Sequence, residues 1–543
     1  MKTFEIEGNI VDIIGKRIFT GVVSIENGKV NSIIEKDIDS NNYILPGLVD
    51  AHIHVESSML VPSEFAAVAV THGTVATVSD PHEIANVLGI DGINYMISNG
   101  EKVPLKFYFG APSCVPATPF ETSGAELKPD DIDKLLSNDK IHYLSEMMNF
   151  PGVIFDDPDV MEKIAVAKKY KKPIDGHAPG LIGADAKKYA DAGISTDHEC
   201  FTLEEAIGKI DLGMKILIRE GSAAKNFDAL HSLISTHPDK VMLCSDDLHP
   251  NDLLKGHINL LVKRALKEGH DLFDVLRACT LNPKKHYNLE TGLLQVGDAA
   301  DCIVVDNLDD FNVLQTFIDG NLVAENGKAA FEKPVVERVN NFKVELKKAE
   351  DFRVPFTGGK IHVIEVIRKQ IVTNDVVLNP KVENGYIMPD EEMDKLKITV
   401  VNRYQRNVKP AVAFIREFKI KNGAIASSVA HDSHNIVCVG TSDEYIAKAV
   451  NTVIKNEGGL AVVHGDEITE LPLPVAGIMT DDSYEKVAAQ YELIEEKVRA
   501  MGSRLSAPMM TLSFMALIVI PKLKLSDKGL FDVTKFDFVD LAC

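Results

Sequence analysis

The feature that most constrains the fold is an alternation of apolar runs with helical segments over about 200 residues, the scale of a (β/α)8 barrel. The runs are typical of parallel strands buried on both faces. Their ends lie near His54, Asp80, Gly110, Glu146, His177, His198, Arg219 and Asp246. Helical segments lie between them, for example at 157–170, 202–210 and 226–235. The pattern predicts an α/β fold, with a TIM-type (β/α)8 barrel over residues 46–285.

Both flanks of the predicted barrel contain short β segments. Residues 19–34 alternate around Asn27-Gly28, a strong hairpin signal, and comparable patterns return at 297–305 and 317–323. We therefore expect residues 1–45 and 286–335 to form one small β-sandwich domain into which the barrel is inserted. New β-rich and mixed segments follow from about residue 340. They predict a C-terminal mixed α+β domain over 340–543, with a helix at 483–501.

Composition excludes several classes of partner. The chain has 58 Lys and Arg against 80 Asp and Glu, a net charge of −22, which disfavours nucleic acid because phosphate binding needs a basic face. Seven scattered cysteines do not suggest a disulfide framework. The first residues lack the order of a signal peptide, and the most apolar stretch, 512–520, is shorter than the ~20 residues of a membrane span. We expect a cytoplasmic protein that binds neither nucleic acid nor membrane.

Ionisable side chains follow the predicted strands. His52 and His54 are two positions apart and project to the same side of an extended strand. The carboxyl ends of barrel strands meet at one mouth, where six nitrogen or oxygen donors would converge. These are His52, His54, Glu146, His177, His198 and Asp246. Each alone has an ordinary interpretation as a hydrogen-bonded rim histidine, a salt bridge or a helix cap. Together they favour a site for one or two divalent cations.

The second predicted strand ends in Asp80 and His82. Neither belongs to the minimal metal-binding set, so we expect them to relay protons or orient water. Two other metal motifs can be discounted. The cytidine-type zinc deaminases need C-x-x-C, which does not occur in this sequence. His82-Glu83 begins like the metalloprotease motif H-E-x-x-H, but position 86 is Asn.

With these residues identified, nearly the whole chain resembles the amidohydrolase superfamily and, within it, the bacterial-type adenine deaminases. The matching stretches are PGLVDAHIHVESS (46–58), SDPHE (79–83), SEMMN (145–149), DGH (175–177), TDHE (196–199) and CSDDLHP (244–250). The segments SVAHDSHN (428–435) and LPLPVAGIM (471–479) resemble the C-terminal domain of that family. The first set indicates an amidohydrolase, and the last two segments narrow the resemblance to the bacterial-type adenine deaminases.

The resemblance implies a binuclear metal centre. The six donors would bind two divalent ions, with Mn²⁺ or Fe²⁺ favoured and Zn²⁺ possible, and Glu146 would bridge them. Many superfamily members carry a carboxylated lysine at the position of Glu146. Lysine there would have favoured a dihydroorotase or hydantoinase. Because the residue is Glu, the sequence disfavours both of these enzymes.

The resemblance also implies a reaction, the hydrolytic deamination of adenine to hypoxanthine and ammonia in purine salvage. A divalent ion can lower the pKa of bound water to about 7, and the resulting hydroxide would attack C6 of the purine. Asp246 is the candidate to accept the proton of this water. Glu146, or Asp80 with His82, would carry protons to the ring nitrogen and the leaving amine. We expect adenine as the small-molecule substrate and a homodimer.

Further residues are candidates for substrate binding. These are Glu56, Arg219, His431 and His434. For His431 and His434 a surface turn is an equally good interpretation, because Asp-Ser between them favours one. Two alternative functions stay open. The N-acetylglucosamine-6-phosphate deacetylases also use Glu at position 146, but the sequence shows no phosphate-binding set. A non-catalytic amidohydrolase-fold scaffold is disfavoured because all six donors are present.

Overall fold

The structure, a computed structural model, describes residues 3–222, 224–368 and 370–543. These residues form two compact units. Unit 1 takes in the described residues of 1–81, 94–113 and 127–336, and unit 2 takes in 82–93, 114–126 and 337–543. The segments 82–93 and 114–126 lie inside the predicted barrel range in sequence. By their contacts they nevertheless belong with the C-terminal residues.

Unit 1 contains eight parallel strands that follow one another as in the predicted barrel. They are Leu48–Ile53, Thr74–Ser79, Lys106–Ala111, Ile141–Met147, Ile174–Gly176, Thr196–Asp197, Lys215–Arg219 and Val241–Cys244, called barrel strands 1 to 8. Strands 1 to 5 pair in order in one sheet, and strands 6 to 8 pair in another. The bond from Ser195 N to Ile174 O, 2.9 Å, joins strands 5 and 6. The bond from Asp246 N to His52 O, also 2.9 Å, joins strands 8 and 1 and closes the ring.

Burial explains why the apolar runs form the barrel. All six residues of barrel strand 1 and all six of barrel strand 2 are buried. Burying one Val, Leu or Ile side chain stabilises the fold by about 1.5–3 kcal/mol. Gly47, before strand 1, allows close approach to strand 2, since a Cβ there would lie 2.2 Å from a methyl carbon of Val75. The strands end within two residues of the predicted positions.

Helices cover the barrel strands. The predicted helix at 157–170 is Pro158–Tyr170, which Asp157 caps by accepting a hydrogen bond from Val160 N at 3.1 Å. The segment predicted at 226–235 contains two short helices instead of one. The other helices that lie within unit 1 are Pro62–Ala69, Pro129–Leu136, Phe150–Ile154, Gly183–Asp191, Leu203–Asp211, Phe227–Leu230, Leu233–Thr236, Pro250–Leu253, Ile258–Lys267, Leu272–Ala278 and Leu281–Tyr287. Short 3-10 helices lie at Val55–Ser58 and Val70–His72.

The two flanks of the barrel share one eight-stranded sheet. Its order is Lys328–Ala329, Asn321–Glu325, Val313–Ile318, Cys302–Val305, Tyr43–Pro46, Thr3–Asp12, Arg17–Glu26 and Lys29–Glu35. Tyr43–Pro46 joins the flanks, because it pairs parallel with Thr3–Asp12 and antiparallel with Cys302–Val305. Strands from both flanks therefore build one sheet. A facing second layer, which defines a sandwich, stays a prediction.

Unit 2 is built on a second eight-stranded sheet. Its order is Thr373–Leu378, Ile361–Val366, Ala411–Arg416, Leu396–Val401, Ile436–Gly440, Gly423–Ser427, Gly459–His464 and Glu467–Pro472. The helix Asp443–Lys455 packs on it through buried apolar residues. The helix predicted at 483–501 is confirmed as Tyr484–Ala500, capped by Ser483.

Smaller elements complete unit 2. Its further strands are Val354–Pro355, Lys381–Glu383, Tyr386–Met388, Leu523–Ser526, Gly529–Asp532 and Asp537–Phe538. Its further helices are His82–Leu88, Pro508–Ser513 and the 3-10 helices Ala349–Phe352 and Phe514–Ala516, while Ile90–Gly100 runs from unit 2 into unit 1. Among the described residues of the whole chain, no helix has the length and apolar character that crossing a membrane requires.

Candidate metal centre

The ends of barrel strands 1 and 8 bring three donors together. Because side chains alternate along a strand, His52 and His54 share a face, and their Nε2 atoms lie 3.2 Å apart. Asp246 Oδ1 lies 3.6 Å from His52 Nε2 and 3.4 Å from His54 Nε2. Asp246 has a left-handed backbone, φ 57°, which Asp adopts more readily than most residues. The three side chains form the first half of the site.

Glu146, at the end of barrel strand 4, connects this half to two more histidines. Its Oε2 atom lies 3.0 Å from His177 Nδ1 and 3.0 Å from His198 Nε2. Its Oε1 atom lies 3.8 Å from His54 Nε2. Its Oε2 atom lies 3.8 Å from His52 Nε2 as well, so the carboxylate lies between the two halves of the site. The structure brings together all six donors that the sequence predicts.

These residues fit a pair of divalent cations. Nitrogen and oxygen ligands lie about 2.0–2.2 Å from such ions, so two ligands of one ion are about 3.0–3.4 Å apart. Most of the donor distances lie in or close to this range. Four imidazoles with two carboxylates suit first-row divalent ions such as Mn²⁺, Fe²⁺ and Zn²⁺. All six side chains are buried except that of His177, which is 23% exposed.

The charges in the site favour the metal-binding forms of Glu146, Asp246 and His52. Burial raises the pKa of Glu146, but His177 and His198 outweigh burial and hold that pKa well below the usual value. Burial also opposes ionisation of Asp246, whose pKa Arg219 nevertheless keeps well below the usual value. Burial lowers the pKa of His52 well below 6.5, so its imidazole is neutral. Ionised carboxylates and neutral imidazoles are the forms that bind metal ions. Burial lowers the pKa of His177, but Glu199 and Glu146 outweigh burial and raise it to about 9, so a metal ion would have to displace the proton of this ring.

A backbone contact orients His54. Its Nδ1 atom lies 3.2 Å from the carbonyl oxygen of Asp80, which follows barrel strand 2. A carbonyl can only accept, so the proton of His54 is on Nδ1 and Nε2 is free of a proton to face the other donors. Asp80 itself is buried. Glu56 is buried in the 3-10 helix Val55–Ser58, which follows barrel strand 1.

Arg219 supports the site instead of facing solvent. It is buried, and its Nη1 atom donates a short hydrogen bond to Asp246 Oδ2. Its Nη2 atom donates to Glu199 Oε2 at 2.8 Å. Sequence reasoning assigned Arg219 to substrate binding and missed Glu199, which also lies 3.5 Å from His177 Nδ1. The position of Glu199 directly after His198 was the available signal.

Sequence reasoning also missed a buried network behind the site. Asp50 accepts hydrogen bonds from His257 Nε2 at 2.8 Å and from Ser245 N at 3.1 Å. It also accepts from the backbone N–H of His52, at 3.2 Å. Asp50 thus connects strand 1 with the residue before Asp246. Its place two residues before His52, on the same face of the strand, could have revealed it.

The other predicted site residues lie in unit 2. His431 and His434 are buried, and each hydrogen-bonds the carboxylate of Glu83. His82 is buried as well, and its Nε2 atom lies 3.4 Å from Glu83 Oε1. A surface turn at His431 and His434 is therefore excluded. The sequence analysis placed Glu83 in the matching stretch SDPHE and in the discarded motif H-E-x-x-H, but gave it no role in the site.

Comparisons with known proteins agree over the length of the chain. The amidohydrolase family matches residues 43–323, and the adenine deaminase C-terminal domain matches residues 370–537. The chain is 57% identical to the adenine deaminase of Sulfurovum sp. (strain NBC37-1), an alignment that covers 99% of both chains. It is 54% identical to the adenine deaminase of Methanosarcina mazei over 98% of both. The chain therefore belongs to the adenine deaminase family of the amidohydrolases.

Proposed function

We propose that this protein hydrolyses adenine to hypoxanthine and ammonia at the six-donor site of unit 1. The observation that carries the proposal is the position of Glu146, whose carboxylate lies within 4 Å of all four histidines of the donor set. Adenine as the substrate is supported by relatives that are named adenine deaminases and align over nearly their full length. The deacetylase and scaffold alternatives have no comparable support.

The donors divide between two ions in this proposal. His52, His54 and Asp246 would hold one ion, His177 and His198 the other, and Glu146 both. Mn²⁺ or Fe²⁺ is the favoured metal, with Zn²⁺ as the alternative. Bound ions of this kind supply a water molecule of lowered pKa and polarise the substrate.

The side chains then have to move two protons. Oxygen from water adds to C6 of adenine, and the bond from C6 to the exocyclic nitrogen breaks. One proton of the water ends on N1 of the product, and the other leaves with ammonia. Asp246 accepts the first proton and passes it on readily, because Arg219 lowers its pKa. Glu146, Asp80 and His82 are the proposed carriers to N1 and the leaving amine.

The residues that the sequence suggested for substrate binding differ in how well the structure supports that role. Glu56 remains a proposed contact to adenine. Arg219 is already bound by Glu199 and Asp246, so we propose that it orients Asp246 instead. Both ring nitrogens of His434 have protein partners, Ala430 N and Glu83, which leaves none for a purine. We further propose a homodimer, which light scattering of the purified protein would test.

The decisive experiment uses purified, manganese-loaded protein with adenine as the substrate. We expect the ultraviolet spectrum to shift from that of adenine to that of hypoxanthine, with one ammonia released per purine converted. Glu146→Gln is the matched variant, since it keeps the shape of the side chain and removes its charge. It should lose activity and bind fewer than two metal ions per chain. Acetate release from N-acetylglucosamine 6-phosphate, without ammonia from adenine, would refute the proposal.

A further inference from the structure

A buried carboxylate in unit 2 is held between two histidines from a distant part of the chain. His431 Nδ1 lies 2.6 Å from Glu83 Oε1, and His434 Nε2 makes a still shorter contact with Glu83 Oε2. Glu83 is 2% exposed, His431 4% and His434 1%. The helix His82–Leu88 supplies the carboxylate. The loop between the strands Gly423–Ser427 and Ile436–Gly440 supplies both histidines.

These contacts are hydrogen bonds and do not have the geometry of a metal site. Two ligands of one divalent ion are about 3.0 Å apart or more, as are the donors of the barrel site. A separation of 2.6 Å between His431 and Glu83 is typical of a charge-assisted hydrogen bond. The two oxygens of Glu83 are thus each matched to one imidazole N–H.

The proton of His434 can be located from its second contact. The backbone N–H of Ala430 lies 3.2 Å from His434 Nδ1 and can only donate, so Nδ1 is the acceptor. The ring proton is therefore on Nε2, where it points at Glu83. His434 needs no positive charge for this bond. Burial lowers the pKa of His434, which agrees with a neutral ring, and Arg403 nearby adds to the effect.

The loop that carries the histidines is itself fixed. The ring of Phe514 stacks on His431 with centroids 4.8 Å apart. Tyr404 donates its hydroxyl to the carbonyl of Ser433, and Asn435 donates to the carbonyl of Thr122 at 2.8 Å. The loop is therefore held by contacts other than those with the carboxylate, which limits the freedom of the two imidazoles.

Glu83 in turn contacts the residue that precedes it. Its Oε1 atom, which accepts from His431, also lies 3.4 Å from His82 Nε2. Burial raises the pKa of Glu83, but His431, His434 and His82 outweigh burial and hold that pKa well below the usual value. Asp432 also lies close to both His82 and Glu83. A fixed carboxylate beside an imidazole sets its orientation and its tautomer.

We propose that Glu83, held by His431 and His434, is a positioning residue that fixes the imidazole of His82 for proton transfer in the deaminase reaction. This inference rests on the proposed function, which gives His82 its role with protons. It assigns to His431 and His434 an indirect role, because they act on His82 through Glu83.

The test compares variants that remove each hydrogen bond with variants that restore it. We expect Glu83→Gln, His431→Ala and His434→Ala each to lower kcat by about 10–100-fold, with KM for adenine and the metal content unchanged. Asparagine places an amide N–H near the position of Nδ1, and glutamine places one near Nε2. His431→Asn and His434→Gln should therefore recover most of kcat.

The matched control is the pair of His362 and Asp375, whose Nδ1 to Oδ1 distance is 2.7 Å. This pair lies on the sheet of unit 2 and makes a similar hydrogen bond. His362→Ala should leave kcat within about twofold of the unmodified enzyme, since this hydrogen bond joins the strands Ile361–Val366 and Thr373–Leu378 and does not involve Glu83. Wild-type kcat in Glu83→Gln would overturn the inference. So would the loss of one metal ion from that variant, which would make Glu83 a ligand.

A crystal structure of Glu83→Gln separates this inference from the proposed function. If the wild-type protein released no ammonia from adenine, the proposed function would fail. The orientation of the His82 ring in the crystal structure of Glu83→Gln would still test the positioning role. A rotated or displaced His82 imidazole supports it, and an unmoved ring with full occupancy refutes it.

Discussion

Replacing Asp50 by alanine would test whether the network behind the metal centre maintains it. The carboxylate is fully buried and accepts hydrogen bonds from the backbone N–H groups of His52 and Ser245 and from His257 Nε2. The Ser245 hydroxyl makes a further short contact with it. These donors come from barrel strand 1, from the end of strand 8 and from the start of the helix Ile258–Lys267. The loss would therefore affect several elements at once.

The magnitude follows from those hydrogen bonds. A hydrogen bond to a charged group contributes about 1.5–3 kcal/mol, and such contributions are not additive when the partners are shared. Asp50→Ala also leaves its donors buried without an acceptor, so we expect the free energy of unfolding to fall by about 3–5 kcal/mol. Asp50 aligns the backbone next to His52 and Asp246. Metal affinity should therefore fall by about 10–100-fold.

Two measurements on the metal-loaded protein check this prediction. Denaturant titration gives the free energy of unfolding, and competition with a chelator gives the metal affinity. Asp301→Ala is the matched control, because Asp301 is buried and accepts from Lys106 Nζ at 2.8 Å and from Gly292 N and Asp319 N at 2.9 Å. It should lose comparable stability but keep its metal. Equal loss of metal in both variants, or stability within about 1 kcal/mol of wild type for Asp50→Ala, would refute the reasoning.

Three further predictions concern the site and the stability of unit 2. Arg219→Met should lower kcat by about 10–100-fold with little change in KM, because Arg219 contacts Asp246; a raised KM at unchanged kcat would instead indicate substrate binding. A strong chelator should abolish ammonia release from adenine, and added Mn²⁺ should restore it; activity that survives chelation would contradict a metal-dependent reaction. Burial raises the pKa of Glu495 to about 7, so the folded state binds this proton more tightly than the unfolded chain and loses stability as pH rises from about 4 to about 7. Gln at position 495 does not titrate, so the free energy of unfolding of Glu495→Gln, measured by denaturant titration, should rise relative to that of wild type between about pH 4 and about pH 7. The same pH dependence in both proteins would refute the shift.

The barrel and its donor set were predictable because both depend on local patterns. Continuous burial leaves an apolar run in the sequence, as in the fully buried barrel strand 1. Period-two alternation then puts His52 and His54 on one face without any knowledge of the rest of the fold. The common mouth of a barrel adds the donors from the other strands. Each of these predictions needs only the pattern of a single strand and the known arrangement of strands in a barrel.

The role of Arg219 was not predictable in this way. A strand-end arginine can face the substrate or a neighbouring carboxylate, and the pattern of the strand is the same in both cases. Packing decides between them, since Glu199 lies at the end of the adjacent strand and Asp246 after the next one. Burying a guanidinium without a counter-charge is costly, so two nearby acids decide where it points. The sequence showed these acids, but not their distance from Arg219.

The pairing of Glu83 with two histidines shows most clearly where sequence reasoning stops. His431 and His434 lie 348 and 351 positions beyond Glu83, and no periodicity relates residues so far apart. Resemblance to a family drew attention to the histidines and suggested contact with the substrate, because polar residues in a characteristic motif invite that interpretation. The structure gives their ring N–H groups an acceptor within the protein instead. A donor that already holds a buried carboxylate gains little by turning to a ligand, since it would leave that carboxylate without its partner. The effect of His431 and His434 on catalysis should therefore be on the rate through Glu83, and not on the affinity for adenine.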